Sequence, residues 1–239
     1  MTLPFAAYLF DVDGTLVSAG GAGRRAFERA VAECCGPADG ALTGLRLDGL
    51  TDRLIVRKAL ELLGRPFDDA FCDLLLARYV DHLKVEIHGP GFAVLPGVVA
   101  ALDALRARGA LLALCTGNVE AGARLKLGRG GLDAYFDWGA SAVFGFAHDG
   151  EEREKLVHAA LRRAAAHLGR PVPAREALVI GDTPHDVAAA HHAGCPVLGV
   201  ATGRYGEAEL RAAGAEHVVP SLEHAGALAL LLGGPPPAA

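Results

Sequence analysis

The chain has 239 residues, 51% of them hydrophobic and 21% charged, which suffices for one large domain or a core carrying an insertion. A formal net charge of −5 gives no electrostatic case for nucleic acid, whose readers carry basic faces. Aromatic residues make up 6%, too few for a platform that stacks single strands.

The start Met1-Thr2-Leu3-Pro4 lacks the basic segment of a secretory signal and leads straight into an apolar run, Ala6–Phe10. Strands buried on both faces read as continuous apolar runs, so Ala6–Phe10 is expected to be such a strand, with Asp11 and Asp13 emerging at its carboxyl end. Ser18-Ala19-Gly20-Gly21-Ala22-Gly23 is a flexible connection. Segments Arg24–Cys35, Asp52–Leu63 and Asp68–Val85 then predict helices, with apolar residues at three- and four-residue spacing such as Leu54, Ile55, Ala59, Leu62 and Leu63. No strand-like run interrupts them, and Gly89-Pro90-Gly91 and Pro96-Gly97 close the block. Beyond it the predicted elements alternate. Helix Val98–Arg108 precedes strand Leu111–Cys115, and helix Val119–Leu127 precedes a weak strand near Trp138–Val143. Helix Glu151–Leu168, strand Ala177–Ile180, helix Asp186–Ala193 and strand Val197–Val200 follow. Ala225–Leu232 is far shorter than the roughly 20 residues that span a bilayer; it reads as a closing helix before a frayed Pro235-Pro236-Pro237 tail. The five cysteines (Cys34, Cys35, Cys72, Cys115, Cys195) have no C-x-x-C spacing and are expected to be reduced residues of a cytoplasmic protein.

Alternation of strands and helices predicts an α/β fold, a Rossmann-like parallel sheet with helices on both faces, built from residues 1–17 and 95–239. Residues 18–94 form a helical insertion after the first strand.

Open parallel sheets bind ligands at the carboxyl ends of their strands. Asp11 and Asp13 follow the first strand, Thr116-Gly117-Asn118 the second, and Gly181-Asp182-Thr183-Pro184-His185-Asp186 a later one. The helix beginning near Glu151 adds Arg153 and Lys155. Two carboxylates about 4 Å apart repel by about 4 kcal/mol at an effective dielectric of 20. A hard divalent cation resolves that conflict, and oxygen ligation with few carboxylates suits Mg²⁺. The metal also lets an anionic nucleophile approach an anionic phosphate, and a carboxylate nucleophile can form an aspartyl-phosphate. A hydroxyl, backbone amides and a cation can hold the oxygens that are not transferred.

The sequence resembles the haloacid dehalogenase superfamily. Its four motifs stand in order: Asp11-Val12-Asp13-Gly14-Thr15-Leu16, Thr116-Gly117-Asn118, a basic residue, and Gly181-Asp182-Thr183-Pro184-His185-Asp186. The insertion is similar to the mobile helical cap of phosphoglycolate-phosphatase-like members, which makes residues 18–94 a cap domain. The resemblance implies Asp11 as nucleophile and Asp13 as general acid and base. It implies Mg²⁺ on the Asp11 carboxylate, the Asp13 main-chain carbonyl and Asp182, supported by Asp186, with Thr116, Gly117 and Asn118 holding the phosphoryl group. A carboxylic acid at Asp13 can protonate a poor alkoxide leaving group, which points to a phosphatase acting on a small organic phosphate monoester, with phosphoglycolate or another small organic phosphate as the leading class. The expected partner is thus a small phosphorylated metabolite, with no nucleic acid and no membrane, and the protein a monomer or homodimer.

The sequence offers three other readings. Gly21-Ala22-Gly23-Arg24-Arg25-Ala26 matches the dinucleotide fingerprint G-x-G-x-x-A, but Asp11 and Asp13 precede it and would repel a pyrophosphate. A phosphomutase of the same fold is one alternative. A non-enzymatic phosphoacceptor module, which is about half this length and lacks the insertion, is the other. Arg24, Arg25, Thr51, Asp52, Arg53 and Lys84 are the polar insertion residues expected to meet a leaving group. His185, His191 and His192 are expected at the surface or in packing.

The third motif departs from the commonest family pattern, a lysine followed by proline. Here the segment is Gly150-Glu151-Glu152-Arg153-Glu154-Lys155-Leu156-Val157. On a helix Arg153 and Lys155 lie about 200° apart. Arg153 shares a stripe with Val157 and Ala160, so it is expected to face the strand ends while Lys155 faces solvent.

Overall fold

A computed structural model describes residues 3–38 and 40–234; the Met1-Thr2 start and the Pro235-Pro236-Pro237 tail lie outside the described residues. In chain order, β1 (Ala7–Phe10) is followed by β2 (Val17–Ala19), α1 (Ala22–Cys35), α2 (Asp52–Leu62), α3 (Asp69–Glu86) and β3 (Phe92–Val94). Then come α4 (Val98–Ala107), β4 (Leu111–Cys115), α5 (Glu120–Arg129), β5 (Phe144–Gly145), α6 (Arg153–Leu168) and β6 (Ala177–Gly181). The chain closes with α7 (Pro184–Ala193), β7 (Val197–Val200), α8 (Glu207–Ala212), β8 (His217–Val219) and α9 (Ala225–Leu232).

The main sheet has the order β5-β4-β1-β6-β7-β8, and every pairing in it is parallel. The chain moves outward from β1 through β4 and β5, then crosses to the other side for β6, β7 and β8. That reversal falls at β1, where ligands bind in such sheets. Phe10 pairs with Leu114 on one side and Ile180 on the other, so the three loops that follow leave the sheet at one level.

Each central strand is apolar throughout because both of its faces are covered. Tyr8 and Phe10 pack with Leu102 and Leu105 of α4 and Leu231 of α9, while Ala7 and Leu9 pack with Leu156 and Ala160 of α6 and Val187 of α7. The Tyr8 hydroxyl donates to the Leu231 carbonyl at 2.7 Å, which satisfies the one polar atom that β1 brings into the core. The insertion has an apolar cluster of its own, with Phe27, Val31, Val56, Leu60, Leu75 and Leu83 drawn from α1, α2 and α3. The α/β class with a parallel sheet covered on both faces is therefore observed as expected.

Three local readings need correction. The strand expected near Trp138–Val143 is instead the two-residue β5, further along. Asp137 accepts from Gly139 N and Ser141 Oγ, both at 2.8 Å, and so turns the chain, while the Trp138 ring lies against Phe144 with centroids 4.9 Å apart. The helical block is also not free of strands: β2 and β3 pair antiparallel where the chain leaves for the insertion and returns. Three residues a side are too short for a period to register. The helix expected from Glu151 begins at Arg153, with Glu152 as its N-cap. All five cysteines are free, three buried and two half-buried, and no helix among the described residues is long and apolar enough to cross a membrane.

Candidate active site

The loop after β1 turns sharply. Gly14 has φ +83°, and a Cβ there would lie 2.3 Å from Asp182 Oδ2, so glycine is required both for the turn and for the approach of the two loops. Gly203, after β7, is as constrained, since a Cβ there would lie 1.7 Å from the same oxygen. Thr15 Oγ1 donates to Asp182 Oδ1 at 3.3 Å. Asp182 is thus walled by backbone on two sides and by a hydroxyl on a third.

Asp186 sits in the first turn of α7, placed by a reciprocal cap. Thr183 Oγ1 accepts from Asp186 N at 3.2 Å and donates to Asp186 Oδ2 at 2.7 Å, and Thr183 N donates to Asp186 Oδ2 at 3.1 Å. Oxygens of Asp11, Asp182 and Asp186 all lie within 4.8 Å of one another, and all three residues are buried. Burial, with the neighbouring carboxylates adding to it, raises Asp11 to about 6 against the lowering effect of Arg153, and raises Asp182 well above the ordinary carboxylate range. Three buried carboxylates that share the Arg153 guanidinium still leave negative charge in surplus, and oxygens of that kind are a hard-cation donor set that fits Mg²⁺. Asp13 is not in that group by its carboxylate.

Arg153 and Lys155 occupy opposite environments. Arg153 is buried; its Nε donates to Asp186 Oδ1 at 2.8 Å, and its Nη2 lies 2.9 Å from Asp11 Oδ1. Nη2 also lies 2.5 Å from Asp186 Oδ1, so the guanidinium is ion-paired with both carboxylates at once. Lys155 is 57% exposed on its side chain and pairs with Glu152 at 2.5 Å.

Asp13 turns the other way. Its Oδ2 accepts from Asn118 Nδ2 at 2.8 Å and from Lys126 Nζ at 2.6 Å, and its side chain is 41% exposed to the cleft. Asn118 Nδ2 also donates to Thr116 Oγ1 at 2.8 Å, so one amide ties the first motif to the second. Lys126 was not singled out from spacing. The signal was present, because in α5 it shares the buried stripe of Ala123 and Leu127, where an unpaired charge would not be tolerated.

Asp11, Asp13, Thr116, Lys126, Arg153 and Asp182 line one cavity of about 550 Å³ between the sheet rim and the insertion. Of the six polar insertion residues expected to meet a leaving group, Arg24 and Asp52 line it. The other four do not. Arg25 is spent on Glu86, Arg53 on Asp69 and Asp73, Lys84 on Asp81, and Thr51 on the N-cap of α2 and the Glu151 carbonyl. His191 pairs with Glu216 and His192 lies near His158; neither histidine belongs to the carboxylate cluster, nor does His185, which packs beside Gly49.

Residues 5–194 match the family of haloacid dehalogenase-like hydrolases. A phosphoglycolate phosphatase of Rhodospirillum rubrum is 37% identical over 198 residues, covering 80% of this chain and 78% of that one. A plasmid phosphoglycolate phosphatase of Cupriavidus necator is 34% identical over 227 residues, covering 93% and 92%. Among solved structures, a hydrolase from Pseudomonas syringae shares the fold, with a TM-score of 0.68 at 24% identity over 91% of this chain and 94% of that chain.

Proposed function

The chain belongs to the haloacid dehalogenase-like hydrolases and is a phosphoric monoester hydrolase of that family; from that premise we propose that it hydrolyses a small phosphorylated metabolite through an aspartyl-phosphate on Asp11. The observation that carries the reading is the placement of the two aspartates. Asp11 is buried and ion-paired with the Arg153 guanidinium, while Asp13 is half-open to the same cavity with one oxygen tethered. One carboxylate is positioned to attack and the other to exchange a proton.

In the first step an Asp11 carboxylate oxygen bonds to phosphorus as the ester P–O bond breaks, and Asp13 delivers its proton to the departing alkoxide. In the second, water attacks the same phosphorus, Asp13 takes up the proton, and Asp11 leaves as carboxylate. Arg153 Nη2, the Thr116 hydroxyl and the amides of Gly117 and Asn118 surround the place where the non-transferring oxygens would lie. Lys155 lies too far toward solvent to share that task. Mg²⁺ held by Asp11, Asp182 and Asp186, with the Asp13 main-chain carbonyl, would neutralise the carboxylates and draw charge from the phosphoryl oxygens. Residues 18–94 act as the cap that closes the cavity against water. Phosphoglycolate is the leading substrate, supported by the names of the relatives at 37% and 34% identity. Free thiols suit a reducing compartment, which supports a cytoplasmic location.

The test is a rapid acid quench of the enzyme turning over phosphoglycolate with Mg²⁺, followed by mass spectrometry of the peptide containing Asp11. A phosphorylated peptide is expected in the native protein, and no turnover in Asp11→Asn. Sustained hydrolysis by Asp11→Asn would overturn the reading.

A further inference from the structure

The loop between β4 and α5 is tied down from two sides, and one of those sides is the insertion. Thr116 N donates to the Gly145 carbonyl at 2.9 Å, and the Asn118 carbonyl accepts from Ala147 N at 3.0 Å; both partners belong to the sheet domain. The Gly117 carbonyl accepts from Asp52 N at 2.7 Å, and Val119 N donates to Asp52 Oδ2 at 2.7 Å. A single residue of α2 thus brackets Asn118. Gly117 N donates to no protein atom among the described residues, and Asn118 N reaches only Thr116 Oγ1 at 3.4 Å, which leaves both amides for a ligand. Asp52 suits its place. As the first residue of α2 it has an N–H without a partner in its own helix, and the Gly117 carbonyl supplies one. The carboxylate lies between the starts of α2 and α5, two positive helix ends, with Lys126 close by. Burial raises it to about 6, against Lys126 and the Val119 bond, so it is an anion at neutral pH. The side chain expected to meet a leaving group is turned onto the loop instead.

We propose that Asp52 is a positioning residue for the phosphate-binding loop: by holding the Gly117 carbonyl and Val119 N it fixes the Gly117 and Asn118 amides in the shape that receives phosphoryl oxygens, so the loop is complete only while the insertion is seated on it. The inference rests on the phosphatase reading above. A trans peptide is planar, with its carbonyl and N–H pointing opposite ways, so the bond at the Gly117 carbonyl sets the direction of the Asn118 N–H. The bond at Val119 N fixes the next peptide. Between them they hold the Asn118 backbone, and the side chain of Asn118 donates to Asp13 Oδ2 at 2.8 Å. Asp52 therefore acts through Asn118 and touches no reacting atom. With the insertion lifted, the Gly117 carbonyl and Val119 N lose their partners. Donors free to rearrange stabilise developing charge less than fixed ones do. Phosphoryl transfer is thereby confined to the closed state, where water is excluded.

The experiment compares Asp52→Ala and Asp52→Asn with the native protein by calorimetry, first with Mg²⁺ alone and then with inorganic phosphate at saturating Mg²⁺. Steady-state kinetics on phosphoglycolate accompany it. Asp52→Ala is expected to bind phosphate about 10-fold more weakly, the scale for losing a hydrogen bond to a charged group, and to lose at least as much in kcat/KM. Its affinity for Mg²⁺ alone should match the native value, because Asp11, Asp182 and Asp186 are untouched. The asparagine side chain still offers an oxygen to Val119 N, so Asp52→Asn should recover most of the phosphate affinity. A residue that merely stapled the insertion to the sheet domain would lower the unfolding temperature and leave the phosphate affinity of the folded protein unchanged. Native phosphate affinity in Asp52→Ala, or a loss of about 10-fold in Asp52→Asn, where the bond can still form, would overturn the positioning role and leave the phosphatase reading intact. Failure of the native protein to hydrolyse any phosphate ester would overturn both.

Discussion

Arg153 and Lys155 stand two residues apart and carry the same charge, yet the fold puts one against Asp11 and the other in water. The reason is helix phase. Arg153 opens α6 on the side of Leu156, Val157 and Ala160, whereas Lys155 lies across the helix and reaches back to Glu152. Arg153→Ala removes a buried cation from between two carboxylates and should lower kcat by about 10²–10³-fold, the range for losing a charge-stabilising donor. An exposed ion pair is worth little, so Lys155→Ala should stay within about twofold of the native protein. Steady-state kinetics of both variants with one ester checks the ranking, and the reverse order would show that the third-motif cation is Lys155.

At the level of elements, the site is organised by how α5 and α7 begin. Val119 cannot cap α5 with its own side chain; Asp52 of α2 does so from the insertion, accepting from Val119 N at 2.7 Å. Helix α7 caps itself through Thr183, with Pro184 in its first turn. Because the hydroxyl of Thr183 also holds Asp186 Oδ2, losing it has two consequences. Thr183→Ala should cost about 1 kcal/mol of stability, as for other N-caps, and should weaken Mg²⁺ binding by letting the Asp186 carboxylate swing. Thermal unfolding reads the first effect and calorimetric Mg²⁺ titration the second. An unchanged Mg²⁺ affinity would mean that Arg153 alone positions Asp186.

Across the whole molecule, the insertion meets the sheet domain through residues 49–57 and also through α3, whose Tyr79 and Leu83 lie near Gly122 of α5. Asp52 N donates to the Gly117 carbonyl at 2.7 Å, Thr51 Oγ1 donates to the Glu151 carbonyl at 2.8 Å, and Arg57 grips the Glu151 carboxylate with two bonds of 2.7 Å. Gly117 matters here for space. A Cβ on it would lie 2.3 Å from the Leu50 carbonyl oxygen, a contact that backbone cannot absorb without moving. Gly117→Ala should therefore hold the insertion away from the rim, lowering kcat/KM by about tenfold or more and raising the radius of gyration measured by small-angle X-ray scattering. If scattering and kinetics both match the native protein, the 49–57 contact is not what closes the cavity.

What the sequence determined by itself is what depends on neighbours along the chain. The apolar runs at β1, β4 and β6 announced strands covered on both faces, and the polar residues directly after them announced the rim, because a strand's carboxyl end is a matter of chain order. The stripe Arg153, Val157, Ala160 carried the phase of α6 for the same reason. The tertiary structure alone decided what depends on residues far apart. Lys126 and Asp13 are separated by 113 positions, and nothing local distinguishes that lysine from a solvated one except its place on a buried stripe. Tyr79 reads as one more core aromatic until the insertion folds over the sheet and its hydroxyl meets Lys126. The ribbon of β2 and β3 was equally hidden, since three-residue strands have no period and hold only because the insertion brings its two ends together.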